Sequence, residues 1–187
     1  MIDKGFWNDV LRDGAILGCL MALSRFFESY VLILSDMSLQ ALSLISSLEM
    51  LLAAVVFIWL VYRFARRRSL SADPSVGYSY GSGVIHIFVV SLLAGVVVGL
   101  ANALFMAVIG YDAFLESYVD RIMQLSQIVP GSEELFATLI EQVESSPAPS
   151  VFDSLLTSMN SYIITGGITA FIVASMVRRE PKIENRE

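Results

Sequence analysis

Polar side chains that could form a binding site inside a membrane lie within long apolar stretches of the sequence. Arg25 and Glu28 are three residues apart, which places both on one face of a helix. A helical rise of about 1.5 Å per residue puts Glu49, Asn102 and Thr165 about 10 Å from the ends of neighbouring stretches, at depths comparable to that of Glu28. A charge at mid-membrane costs at least about 2.5–3.5 kcal/mol, so such residues pair or line water. We therefore predict an ion cluster of Arg25, Glu28 and Glu49.

The sequence is compatible with two roles for this cluster, one structural and one functional. A structural ion pair would fix the register of the helices that carry it. A functional cluster would instead offer a polar site for a small anion, a lipid head group or a proton. Asn102 and Thr165 belong to the same candidate cluster, because the depth argument places them in the same layer.

The chain has one cysteine, Cys19, and one histidine, His86, and this limits its chemistry. They allow no intrachain disulfide and no thiol or imidazole metal cluster, although a carboxylate-only metal site remains open. His86 lies near one end of an apolar stretch, and we predict an interfacial position for it. Gly77, Gly81 and Gly83 lack the spacing and the lysine of a phosphate-binding loop. The sequence therefore predicts no catalytic residue, no cofactor and no metal, and we expect a protein that is not an enzyme.

The composition indicates the elements that must hold these residues. The 187 residues are 56% hydrophobic and 16% charged, with a mean hydropathy of +0.69. A soluble domain is about 45–50% apolar and about 25% charged. The net charge of −6 argues against nucleic acid as a partner. We predict one all-α domain in the lipid bilayer, a polytopic four-transmembrane-helix bundle.

Four apolar segments are near the roughly 20 residues that cross a bilayer. They cover residues 14–34, 42–62, 84–110 and 159–177. Arginines at positions 63, 66, 67 and 68 follow the second segment and predict a basic loop there, and Arg178 and Arg179 follow the fourth. The residues from 111 to 158 carry eight acids and one base. Because basic residues stay in the cytoplasm, we expect both termini and the arginine loop on that side.

The acidic segment 111–158 should itself contain structure. Apolar residues recur in it at helical spacing on both sides of Pro130 and Gly131. This predicts two short amphipathic helices, which would form a solvated cap or a surface that meets a partner. Ser150 with Asp153 three residues later is typical of a capping box, so the last helix should begin at Val151, before it enters the membrane.

Small residues recur every fourth position and predict close helix packing. The third segment carries Ser91, Gly95, Gly99, Ala103 and Ala107, the first carries Gly14 and Gly18, and the fourth carries Gly166 and Ala170. In lipid, such residues let helix backbones approach closely. Packing within one chain is the main prediction, and homodimerisation through Gly95 and Gly99 is the alternative.

Several local sequences, in this order, resemble a known family. They are Gly14-Ala15-Ile16-Leu17-Gly18, Tyr62-Arg63, Gly77-Tyr78-Ser79-Tyr80-Gly81, Tyr111-Asp112-Ala113-Phe114-Leu115-Glu116 and Val177-Arg178-Arg179-Glu180-Pro181. Together they resemble domain of unknown function 4199, a family of four-span membrane proteins of Bacteroidetes-type bacteria. The family usually has proline where Ala113 stands here. The resemblance implies location in a bacterial inner membrane and architecture but no activity, and it points weakly to polyprenyl-phosphate sugar metabolism.

Two functions are therefore expected. The first is a non-enzymatic accessory or scaffold subunit that meets a membrane protein partner or a second copy of itself. The alternative is a small carrier or a protein that handles lipids or their head groups through the Arg25, Glu28, Glu49 and Asn102 cluster. A link to polyprenyl-phosphate sugar metabolism would belong to this alternative.

Overall fold

The computed structural model describes residues 4–34, 37–128, 131 and 133–182, and these residues form six helices. The helices are α1 (Lys4–Leu34), α2 (Leu39–Ser71), α3 (Tyr80–Ile109), α4 (Tyr111–Ile128), α5 (Glu133–Glu144) and α6 (Val151–Val177). Apart from an isolated bridge between Tyr78 and Arg179, no β-structure occurs in these ranges. The predicted all-α class, with two short helices between the third and last long ones, is confirmed.

Serine caps determine where three of the long helices begin. The Ser38 hydroxyl accepts a hydrogen bond from the Ala41 backbone at the start of α2, and Ser79 does the same for Ser82 at the start of α3. At the start of α6, Ser150 and Asp153 form the reciprocal bonds of a capping box. Such bonds satisfy backbone N–H groups that the first helical turn leaves unpaired. The predicted capping box and the start of the last helix at Val151 are confirmed.

The predicted basic loop is wrong, because α2 continues through all four arginines to Ser71. Arginine is a good helix former, and the extra turns keep the guanidinium groups at fixed positions on the helix. Between α4 and α5, Gly131 has a φ of +79°, a conformation that favours glycine. The neighbouring Pro130 lies outside the described residues.

Three of the described helices are long and apolar enough to cross a bilayer, as expected for a multi-pass membrane protein. They are α2 (from Gln40), α3 and α6. The predicted first segment lies in α1, which is not among the three. Between Asp9 and Glu28, α1 carries five charged side chains, and these lower its apolar character.

Helix α3 packs between α1 and α6 through the small residues. A Cβ atom added to Gly18 would lie 2.6 Å from the Cβ of Val97, and one added to Gly99 would lie 2.8 Å from the Cα of Leu155. The other close contacts are Gly14 with Leu93, Gly95 with Met159 and Gly166 with Ser91. Ala170 is buried, Ala103 is half-buried and Ala107 is exposed. Since α6 already covers Gly95 and Gly99, that face of α3 packs against another helix of the same chain.

The starts of α1 and α3 meet the ends of α2 and α6, and we name this the arginine end of the bundle. The Ser69 hydroxyl donates to the Val177 carbonyl over 2.6 Å, and Arg179 donates to the Ser69 carbonyl over 2.8 Å. Tyr78 and Arg179 add two backbone hydrogen bonds. Since α4 and α5 connect the other ends of α3 and α6, they lie at the opposite end.

Candidate functional site

A cavity of about 320 Å³ lies between α1, α2 and α6, and we name it the lateral cavity. Its volume lies in the range of about 300–1,000 Å³ that ligand pockets occupy. Most of its wall is apolar, with Met21 on α1 and Phe57 on α2 buried at its back. Met50 and Ile58 on α2 are exposed, as are Ser161 and Thr165 on α6. The cavity therefore opens at the surface between α2 and α6.

Three charged side chains line the lateral cavity, and their charges do not cancel. Arg25 donates to Glu28 over 2.9 Å, with side chains 64% and 36% exposed. Glu49 accepts a hydrogen bond from the Ser24 hydroxyl. Among the described residues no cation forms an ion pair with Glu49. When all three groups are ionised, the cavity therefore carries one excess negative charge.

The structure brings together most, but not all, of the residues predicted for this layer. Arg25, Glu28, Glu49 and Thr165 all line the lateral cavity. Asn102 is not in the lining, because it lies on α3, whereas the residues that line the cavity belong to α1, α2 and α6. The predicted ion pair between Arg25 and Glu49 does not form, since each has a nearer partner on α1. Counting residues along each helix therefore predicts which side chains lie near the cavity better than it predicts which of them form ion pairs.

A second polar cluster lies at the arginine end and centres on Asp13, whose side chain is 1% exposed. One carboxylate oxygen, Oδ1, accepts hydrogen bonds from Arg12 over 3.1 Å and from Arg67 of α2. One turn earlier, Asp9 pairs with Arg12 and with Arg68, each over 2.8 Å. Since burial of a single carboxylate is costly, the two guanidinium groups are what make this position of Asp13 tolerable.

His86 is part of the same cluster, and the structure places it in the interior. Its side chain is 1% exposed, its Nε2 lies 3.9 Å from Asp13 Oδ2, and its ring meets the edge of Phe6. Neither ring nitrogen has a hydrogen-bond partner in the described part of the chain, and neither does Asp13 Oδ2. A water between the two groups would satisfy both. Since both side chains are 1% exposed, a substrate in solution cannot reach this pair.

Tyr78 closes the arginine end next to this cluster. Its ring is buried, and the hydroxyl donates to the Ser82 carbonyl over 3.3 Å. Burial raises the pKa of Tyr78 to about 12, and the charge of Arg68 acts in the opposite direction. Tyr78 is therefore a core residue, whereas Tyr80, two residues later, is exposed.

Sequence reasoning did not find the Asp13 cluster, although a signal was present. Asp9 and Asp13 are four residues apart and so share a helix face, and they precede the first apolar segment as the arginines follow the second. Considered without these acids, the arginines indicate only the topology. The acids before the first segment and the bases after the second would have indicated ion pairs between these two helices.

Comparison with known proteins gives a family but no activity. The model of a family described as Protein of unknown function (DUF4199) matches residues 12–179. No curated protein and no solved structure matches the chain. The matched range contains both polar clusters except for Asp9.

Proposed function

We propose a function from the geometry of the chain, because it belongs to the DUF4199 family, whose function is unknown. The protein is a non-enzymatic membrane protein whose lateral cavity binds the head group of an amine-bearing lipid. The observation that carries this proposal is Glu49, a carboxylate in the cavity wall whose described partner is a serine hydroxyl and not a cation. An ammonium group would neutralise this charge and add charge-assisted hydrogen bonds.

The shape of the lateral cavity supports an amphiphile as the ligand. Its opening lies between α2 and α6, two of the helices that are apolar enough to span a membrane. A lipid could therefore insert its head group sideways while its chains remain in the bilayer. The volume suits a head group and not a whole lipid. The excess negative charge disfavours polyprenyl phosphates, which carry no amine.

We propose four spans, with α1 as the fourth. Gly14 and Gly18 hold α1 directly against α3, so α1 runs beside a spanning helix. The arginine end then faces the cytoplasm of a bacterial cell, with both termini there and with α4 and α5 outside. This topology puts the lateral cavity in the outer half of the inner membrane.

An accessory role is compatible with lipid binding, and an apolar surface at the outer end favours it. Leu135 on α5, Ile128 on α4 and Phe152 on α6 are exposed. These side chains could meet a membrane protein partner or the outer surface of the bilayer. Co-purification from native membranes in mild detergent, with and without the change Leu135→Asp, tests the partner. Unchanged co-purification would exclude this surface.

The lipid proposal is tested with purified protein in nanodiscs that contain phosphatidylethanolamine, phosphatidylglycerol and phosphatidylcholine in equal parts. Native mass spectrometry then reports which lipids remain bound. We expect phosphatidylethanolamine to be retained over phosphatidylcholine, which lacks a free ammonium group, and Glu49→Gln to lower the retention of phosphatidylethanolamine roughly tenfold, the effect of losing about 1.4 kcal/mol.

The matched control is Glu141→Gln, which removes an equal charge from an exposed position on α5 and should change nothing. Equal retention of phosphatidylethanolamine and phosphatidylcholine, or an equal response to both variants, would overturn the proposal. A further readout is the mass of the bound lipid, which would change if the protein modified it. Because we propose binding without reaction, the mass of the bound lipid must stay unchanged during incubation.

A further inference from the structure

One face of α2 at the arginine end is exposed and combines aromatic rings with guanidinium groups. Trp59, Tyr62, Arg63 and Arg66 are spaced by three, four and seven residues, which places them on one side of a helix. Trp59 is 53% exposed, and both arginines are exposed. We name these four residues the α2 stripe.

The two arginines of the stripe are held by aromatic rings and not by acids. The Arg63 guanidinium lies 5.2 Å from the centre of the Trp59 ring, and that of Arg66 lies 5.8 Å from the centre of the Tyr62 ring. Arg66 also donates to the Tyr62 hydroxyl over 3.0 Å. Stacking of this kind orders a guanidinium group without neutralising it.

The other two arginines of this segment also lie over aromatic rings, but each of them has an acidic partner as well. Arg67 pairs with Asp13 and Arg68 with Asp9. Within the described residues, Arg63 and Arg66 have no carboxylate partner. The stripe therefore carries two positive charges that the chain itself leaves uncompensated, and both point away from the bundle.

The same face of α2 continues as apolar surface toward the centre of the helix. Leu52 and Val55 lie seven and four residues before Trp59, on the same side, and both are exposed. From Leu52 to Arg66 the helix rises about 21 Å, close to half of the roughly 40–45 Å that a bilayer with its head groups measures. Tryptophan and tyrosine are enriched at the boundary between chains and head groups.

We propose that the α2 stripe binds an anionic phospholipid of the leaflet that surrounds the arginine end. Arg63 and Arg66 contact its phosphate, for which guanidinium groups have a matching geometry. Trp59 lies at the level of the glycerol, and Leu52 and Val55 contact an acyl chain. This site differs from the lateral cavity in position and in the sign of its charge, so it stands independently of the function proposed above.

The test uses Trp59 as a reporter. The chain has two tryptophans, so Trp7→Phe leaves Trp59 as the fluorophore. This protein is placed in phosphatidylcholine vesicles that contain a small fraction of either brominated phosphatidylglycerol or brominated phosphatidylcholine, because bromine quenches tryptophan on contact. We expect brominated phosphatidylglycerol to quench Trp59 at a roughly tenfold lower fraction, consistent with two arginines near a membrane surface.

The decisive variant is Arg63→Gln/Arg66→Gln, in which the preference should disappear. Its matched control is Arg178→Gln/Lys182→Gln, which removes two positive charges from the same end of the bundle but outside the stripe, and the preference should persist. Equal quenching by both lipids in the parent protein would overturn the proposal. A preference that survives the first variant, or is lost in both, would also do so.

If Trp7→Phe does not fold, native mass spectrometry of the other variants in the original background gives the same comparison through retained phosphatidylglycerol. The Glu49→Gln variant must leave the phosphatidylglycerol preference unchanged. Loss of the preference in that variant would show that the two sites are one and would contradict this inference.

Discussion

The two polar regions of α1 use the same residue types and have opposite properties. Asp13 and Arg25 are twelve residues apart, about 18 Å along the helix. Asp13 is 1% exposed and bonded to two guanidinium groups, whereas Arg25 is 64% exposed and pairs with its helical neighbour Glu28. Burial and the number of partners, and not the type of residue, therefore distinguish a structural ion cluster from a candidate binding site.

The largest expected effect is at the buried carboxylate. Asp13→Ala leaves Arg67 without its partner and opens a gap beside His86. The hydrogen bonds between charged groups that this change removes contribute about 1.5–3 kcal/mol each, so the thermal unfolding midpoint in detergent should fall strongly. If Asp13→Ala unfolds at the same temperature as the wild type, the stability of the arginine end does not depend on this cluster. The Asp13 cluster would then be no more structural than the exposed pair of Arg25 and Glu28.

The next largest effect on stability is expected on α6, where Gly166 faces a packed surface and Gly167 an open one. A Cβ atom on Gly166 would collide with the side chain of Ser91, whereas one on Gly167 would meet nothing within 4 Å. Overpacking costs about 1–3 kcal/mol, so Gly166→Ala should lower the unfolding midpoint while Gly167→Ala should maintain or raise it. Adding Ser91→Gly should restore much of the loss in Gly166→Ala, and its failure to do so would place the cause elsewhere.

An exposed polar pair can still stabilise when it satisfies the backbone, and Ser150 tests this. Ser150→Ala removes the hydroxyl that accepts a hydrogen bond from the Asp153 backbone N–H and donates one to the Asp153 carboxylate. Loss of such a cap costs about 0.5–2 kcal/mol. Unfolding followed by circular dichroism should detect it, with Ser145→Ala as the control, because Ser145 lies past the end of α5. Equal effects of the two changes would contradict a specific capping role.

The smallest effect is expected at the ion pair of the lateral cavity. Exposed pairs contribute about 0–1 kcal/mol, so Arg25→Gln should change the unfolding midpoint little. The same variant makes the cavity more negative and should retain phosphatidylethanolamine at least as well as the wild type does. A loss of stability as large as that of Asp13→Ala would show that both regions are structural.

The helices and their local features can be predicted from short stretches of the chain. The all-α class, the two short helices between the long ones, the capping box at Ser150 and the face shared by Gly95 and Gly99 depend on residues close in the chain. Hydropathy and helical spacing report such features directly. The sequence also indicates which residues share a layer, because depth along a helix follows from counting residues.

Which polar side chains meet depends instead on how the helices pack. Asp13 and Arg67 are 54 residues apart, and their contact depends on how α1 and α2 rotate about their own axes. The same packing leaves Glu49 of α2 with the Ser24 hydroxyl of α1, and it builds the lateral cavity from α1, α2 and α6, so that Asn102 on α3 is not in its wall. A helix turns by about 100° at each residue, so the sequence gives the depth of a side chain while helix packing sets the direction in which it points.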